Sequence, residues 1–227
     1  MNNPAFSRKP NAAFVAGMMF AAALPLNSAH ADTLLTNGSF ENPNIVSTNF
    51  YQLFNVGSTG ITGWSVVGAG EIALVPDTFG LNASDGRQWI DLTGLYGYNK
   101  GLRSDAVTTI IGKTYTLSFD LGDYYAAGFQ NASLSVGING AIPQIFNNVY
   151  QSGLMDWERK SITWVADSTS ASFTFLGVAN GLLSNDAGIG LDNVTFEELA
   201  PVPVPAAAWL FGSGLMGLFG MARRAKA

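Results

Sequence analysis

From residue 33 onward the chain alternates short apolar runs with clusters of Gly, Asn, Asp and Ser. The clearest run is Thr114–Leu121 (TYTLSFDL). Tyr115, Leu117, Phe119 and Leu121 fall on one face of it, and Thr116, Ser118 and Asp120 on the other. A period of two marks a half-buried strand, because successive strand side chains point to opposite faces. Further strands are predicted at Thr33–Phe40, Gly63–Val67, Glu71–Val75, Arg87–Leu92, Gly101–Ile110, Ala132–Ile138, Lys160–Val165, Ala171–Leu176 and Ile189–Glu197. Gly68-Ala69-Gly70 is expected to close a hairpin between the second and third of these. Lys160–Val165 and Ala171–Leu176 are expected to pair, and Asn139-Gly140 is a tight-turn signal. No run carries a helical period, and no room is left for helices between strands. The expected domain is all-β, and nine or ten short strands suggest a jelly-roll β-sandwich.

The two ends of the chain break this pattern. Arg8 and Lys9 precede a mostly apolar stretch, Asn11–Leu26, and Ala29-His30-Ala31 has the form of a cleavage site. Residues 1–31 therefore read as a secretory signal peptide. At the other end, 199–205 is a Pro-rich spacer, since alternating prolines can join neither a helix nor a sheet ladder. Ala206–Ala222 is uncharged, and seventeen helical residues at about 1.5 Å each reach about 26 Å, the short end of a bilayer span. Arg223, Arg224 and Lys226 form a basic stop that favours the cytoplasmic side. A transmembrane helix with a basic tail is thus expected over 206–227, and the domain over 32–198.

The tail resembles the PEP-CTERM sorting signal of Gram-negative bacteria. The resemblance lies in Val202-Pro203-Val204-Pro205, Ala207, Trp209–Leu215 and Arg223-Arg224, with Val204 standing where the family name puts Glu. It implies an exosortase as processing partner and a destination at the cell surface or in an extracellular polysaccharide matrix.

Charge and composition narrow the chemistry of the domain. Residues 32–198 hold six Lys and Arg against all sixteen Asp and Glu, a net charge of −10. Such a surface repels phosphate backbones, which argues against nucleic acid as a partner. The chain has no Cys, and its one His, His30, lies in the signal peptide. The exported domain then lacks the residues for Ser-His-Asp or Cys-His catalysis and for ordinary zinc or haem sites.

Five pieces in order resemble the galactose-binding-like jelly-roll group. They are Asn37-Gly38-Ser39-Phe40-Glu41, Gly63-Trp64, Gly86-Arg87-Gln88 leading into Asp91-Leu92, Gly112-Lys113-Thr114-Tyr115, and Leu191-Asp192-Asn193-Val194. The resemblance spans nearly all of 32–198 and implies a fold shared by many carbohydrate-binding modules, without naming a ligand.

Two sets of residues are candidates for binding. Glu41 and Asp192 lie on the first and last predicted strands, and Asp192 is in phase with Val194 and Phe196, taken as inward. A buried carboxylate needs a partner, and a structural calcium would satisfy both; the group resembled often carries one there. The alternative is that both accept backbone N–H bonds. The second set is aromatic. Tyr96 and Tyr98 in one loop, and Tyr124 and Tyr125 in another, can stack on sugar rings, with Asp91, Arg103 and Asp123 to bond hydroxyls. The two loops are expected at one end of the sandwich as a shallow cleft; alternatively these rings pack over strand ends. No clustered carboxylate motif points to a glycosidase. The expected function is non-catalytic polysaccharide binding by an exported envelope or matrix protein. The alternatives are an adhesive matrix protein with protein partners and, behind it, a glycan-acting hydrolase.

Overall fold

In the computed structural model the described residues are 33–95, 97–124, 132–149, 154–178 and 188–199. The strands are β1 (Gln52–Asn55), β2 (Trp64–Gly68), β3 (Glu71–Pro76), β4 (Gln88–Asp91), β5 (Lys100–Ser104), β6 (Val107–Thr108) and β7 (Thr114–Tyr124). They continue with β8 (Ala132–Ile138), β9 (Gln144–Asn148), β10 (Met155–Val165), β11 (Ser170–Ala171), β12 (Phe173–Gly177) and β13 (Gly188–Glu198). A six-stranded sheet, β1-β3-β4-β13-β7-β10, faces a five-stranded sheet, β2-β5-β12-β8-β9. All pairings are antiparallel. The domain is an all-β sandwich.

Period-two alternation builds the core. Tyr115, Leu117, Phe119 and Leu121 of β7 turn inward and are buried, as their spacing predicts. Phe119 sits between the sheets, edge-on to Phe175 of β12 at 5.4 Å and to Phe146 of β9 at 5.3 Å. Phe173 and Phe196 make the same bridge from β12 to β13, at 4.6 Å. Edge-to-face rings at these separations add to their burial because a ring's positive edge meets its neighbour's negative face.

Four expectations change. Residues 33–40 form no strand: Asn37 and Phe40 adopt positive φ, which bends the segment across the end of β13 and drops Phe40 into the core against Trp64. β2 and β3 make no hairpin. The turn at Gly68–Gly70 carries the chain from one sheet to the other. β10 and β12 also lie in different sheets, β10 paired to β7 and β12 to β5 and β8. Finally, a bulge between Asp192 and Thr195, with Asn193 at φ 49, inserts one residue and inverts the phase of β13. Leu191, Val194 and Phe196 point inward, so Asp192 belongs to the outer face.

Candidate binding cleft

β3 reads EIALVP, apolar at every position after the first. Ile72 and Leu74 enter the main core, which leaves Ala73 and Val75 on the outer face of the six-stranded sheet. On β4, Ile90 faces the core, and Trp89 and Asp91 share the outer face with them. An outer sheet face is normally polar where it meets water, so this one is built to be covered.

A cleft of about 240 Å³ opens there. Ala73, Val75 and Trp89 lie beneath it, with Asp91 beside them. Tyr51 and Phe79 stand on one side as an edge-to-face pair at 5.6 Å, 38% and 44% exposed, so their rings are open to a ligand. Gly94 and Leu95 line it as well, and Tyr124 packs edge-on to Trp89 at 6.0 Å. Trp157 continues the aromatic surface from Trp89 at 5.9 Å.

Glycine makes this surface possible. Gly122, Gly188 and Gly190 occupy the outer face of β7 and β13. A Cβ on Gly122 or Gly190 would collide with Met155 and Trp157, and one on Gly188 with the Tyr124 ring. Only bare backbone lets these side chains lie against the sheet.

Polar bonds hold the surroundings of the cleft. Asp91 Oδ1 accepts from Thr93 N at 2.8 Å and from the Thr93 hydroxyl, and Oδ2 accepts from the Tyr124 hydroxyl at 3.4 Å. Burial pushes the Asp91 carboxyl up to about 6, against the pull of Thr93 and Tyr124. Buried Lys100 donates to Glu71 at 2.8 Å and to the Thr93 carbonyl at 3.1 Å; that bond holds Glu71 below its ordinary value. The indoles of Trp89 and Trp157 donate to the carbonyls of Leu81 and Asn82, pinning that loop beside the cleft.

The family model described as "Protein of unknown function (DUF642)" matches residues 33–196. The chain belongs to the DUF642 family. No curated protein matches it. Among solved structures, a cyclase from Fischerella sp. TAU, in complex with 4-(1H-indol-3-yl)butan-2-one, is similar at a TM-score of 0.52 and 16% identity. That match covers 74% of this chain and 98% of the cyclase. The CBM22-1 xylan-binding domain from Paenibacillus barcinonensis Xyn10C has a TM-score of 0.39 at 14% identity, over 68% of this chain and 96% of its own. TmCBM61, in complex with β-1,4-galactotriose, has a TM-score of 0.39 at 16% identity, over 74% and 100%. At such identities the likeness to the cyclase is one of fold.

In this DUF642 domain the residues singled out from sequence are distributed unevenly. Asp91 and Tyr124 come together in the cleft, as described. Tyr98 is half-buried and packs against the main core, away from the residues that line the cleft. Asp123 is fully buried, its Oδ2 accepting from Ala132 N at 3.1 Å, and it cannot reach a surface ligand. Arg103 lies on β5 of the other sheet and donates to Ser172. Tyr96 and Tyr125 lie outside the described residues, as do residues 1–31 and the tail with Val202, Pro203, Val204, Pro205, Arg223 and Arg224. Among the described residues no helix is long and apolar enough to cross a membrane.

Glu41 and Asp192 brace one turn. Glu41 Oε1 accepts from Arg87 N at 2.7 Å and Gln88 N at 2.8 Å. Asp192 Oδ2 accepts from Ser84 N at 2.8 Å and Asp85 N at 2.9 Å, and its Oδ1 from Asn193 N. Together they clamp the turn that feeds β4, and so position Trp89 and Asp91. Backbone N–H donors thus converge on Glu41 Oε1 and on both Asp192 oxygens, the arrangement given above as the alternative to a calcium.

Tyr51 and Phe79 escaped the sequence reading, which has Trp89 only as a flank of the Tyr96 and Tyr98 loop. Two signals pointed to the cleft. A strand apolar on both faces needs two coverings, and the RQWIDL run puts Trp89 on the same face as Asp91.

Proposed function

We propose that this DUF642 domain is an exported, non-catalytic polysaccharide-binding module whose ligand lies in the cleft on the outer face of the six-stranded sheet. One observation carries the reading: exposed Tyr51 and Phe79 flank a Trp89 floor with the Asp91 carboxyl beside it. Sugar rings present apolar C–H faces to aromatic rings and hydroxyls to a carboxylate, and the cleft offers both partners. Binding without turnover follows from the same place. Among the described residues lining the cleft Asp91 is the one carboxyl group, whereas glycoside hydrolysis uses a pair about 5–10 Å apart.

The test is calorimetric titration of the full-length chain, held in detergent micelles, with neutral xylo-, gluco- and galacto-oligosaccharides. Replacing Tyr51 and Phe79 together by Ala should weaken binding about thirtyfold or more, as loss of a stacking hot spot of about 2 kcal/mol does. The melting temperature should barely move, since both side chains are substantially exposed. Unchanged affinity in this variant, or oligosaccharide cleavage by the wild type, sinks the reading.

Export and anchoring belong to the same proposal. They rest on the basic, apolar and Ala29-His30-Ala31 pattern at one end and on the VPVP motif, apolar run and arginines at the other. An exosortase would process the tail of a protein destined for the Gram-negative cell envelope or matrix. Mass spectrometry of the exported protein should find Asp32 as its first residue; a chain that keeps Met1–Ala31 refutes the leader.

A further inference from the structure

The domain is acidic, and its few cations are almost all spoken for. Arg87 pairs with Asp77, Lys100 with Glu71, Lys113 with Glu198, Arg159 with Asp120 and Lys160 with Glu158. Arg103 alone among the six cations of 32–198 has no carboxylate partner among the described residues. In a domain with sixteen acids, leaving one guanidinium unmatched needs a reason.

Its surroundings supply one. Arg103 stands on the outward face of the five-stranded sheet, beside Ser65 of β2 and Thr174 of β12. It lies in an open groove of about 640 Å³ with Ser65, Asn139, Ser168, Ser170 and Ser172. One of its five N–H donors is used, by Ser172 Oγ at 3.2 Å. The far wall is braced. Asn139 Nδ2 donates to Ser168 Oγ at 3.1 Å and to the Ser170 carbonyl at 3.0 Å, and Asn139 Oδ1 accepts from Ser172 N at 2.8 Å. The groove shares no lining residue with the aromatic cleft and contains no large apolar side chain.

We propose that the Arg103 groove is a second binding site, which takes a uronic acid unit carried on an otherwise neutral polysaccharide. The guanidinium fork matches a carboxylate with two parallel bonds. The serine hydroxyls and the Asn139 amide match ring hydroxyls, as both donors and acceptors. Asp105, also in the groove, accepts a hydroxyl and repels a second acid. One cation in a domain of net charge −10 can hold one carboxylate at a time, so a densely charged polyuronate is disfavoured. The site stands apart from the cleft and does not depend on it.

The test compares three probes on the full-length chain in detergent micelles: a xylo-oligosaccharide bearing one glucuronate, the same oligosaccharide without it, and an oligogalacturonate. The decorated probe should bind about ten- to a hundredfold tighter than the plain one, the range of hydrogen bonds to a charged group. Arg103→Gln should erase that difference. Arg103→Lys, which keeps the charge and loses the fork, should retain a small part of it. Arg103 is exposed, so both variants should melt with the wild type. The difference should persist in the variant lacking Tyr51 and Phe79, which separates this site from the cleft. Equal binding of decorated and plain probes, survival of the difference in Arg103→Gln, or tightest binding to oligogalacturonate overturns the proposal.

Discussion

Phe119→Ala should cost the domain about 3–5 kcal/mol of stability, the range for removing a fully buried phenylalanine. Small domains hold only about 5–15 kcal/mol in all, and a loss of this size should lower the melting temperature of a domain this long by about 6–20 °C. Phe119 is fully buried in the centre of β7. Its ring meets Phe175 and Phe146, both from the opposite sheet, so its loss opens a cavity where the two sheets depend on each other. Phe119→Leu, which keeps most of the volume, should cost markedly less. Urea titration measures both. A loss under about 1 kcal/mol for the Ala variant would mean that the sheets close over the gap, and that the inter-sheet rings do not dominate the core.

The second large effect is a dependence on pH through Asp192. Burial pushes its carboxyl from 3.8 up to about 8, with Asp85 pushing the same way and the backbone N–H groups of Asp85, Asn193 and Ser84 pulling it down. A folded-state value above the unfolded one means that the unfolded chain binds fewer protons between the two. Stability is then fully present below about pH 4 and is lost as the pH rises to about 8. One proton corresponds to about 1.4 kcal/mol per pH unit at the steepest. Asp91 adds to the same trend over a narrower window, up to about 6. Asp192→Asn keeps an acceptor for the clamp and should flatten the slope. Asp192→Ala strips the acceptor from Ser84 and Asp85 N–H, and should cost about 3 kcal/mol near pH 4 through unpaired donors, a cost that shrinks as the pH rises because the variant has no carboxyl to titrate. Because the clamp aims β4, this variant should also weaken binding in the cleft. Chelator should leave all three proteins unchanged, as a carboxylate–amide clamp needs no ion. A wild-type stability that rises from pH 4 to pH 8 would show that the backbone donors outweigh burial; a chelator response lost in both variants would favour calcium instead.

What the chain determines locally was legible. The alternation of Thr114–Leu121 names the buried side chains of β7 without any knowledge of its neighbours, because the pleat of a strand is a property of its own backbone. Asn139-Gly140 marks a turn for the same reason: both residues take positive φ there. The absence of Cys anywhere, and of His beyond residue 30, limits the chemistry of the domain whatever its fold.

The tertiary structure decided the rest. A period of two says which residues share a face, but not which strand or sheet lies beside them, since pairing is made by partners far away in sequence. Hence the Gly68–Gly70 turn reads as a hairpin and in fact connects two sheets. One αL residue, Asn193, inverts the phase beyond it, so Asp192 moves from the core face to the outer face and becomes a clamp. Arg103 and Asp91 are twelve residues apart and look like parts of one site, yet they project from opposite sheets. The cleft itself joins Tyr51, Phe79, Trp89 and Tyr124, residues spread over more than seventy positions. Only the packing of β1, β3, β4 and β7 into one sheet brings them within reach of a single ligand.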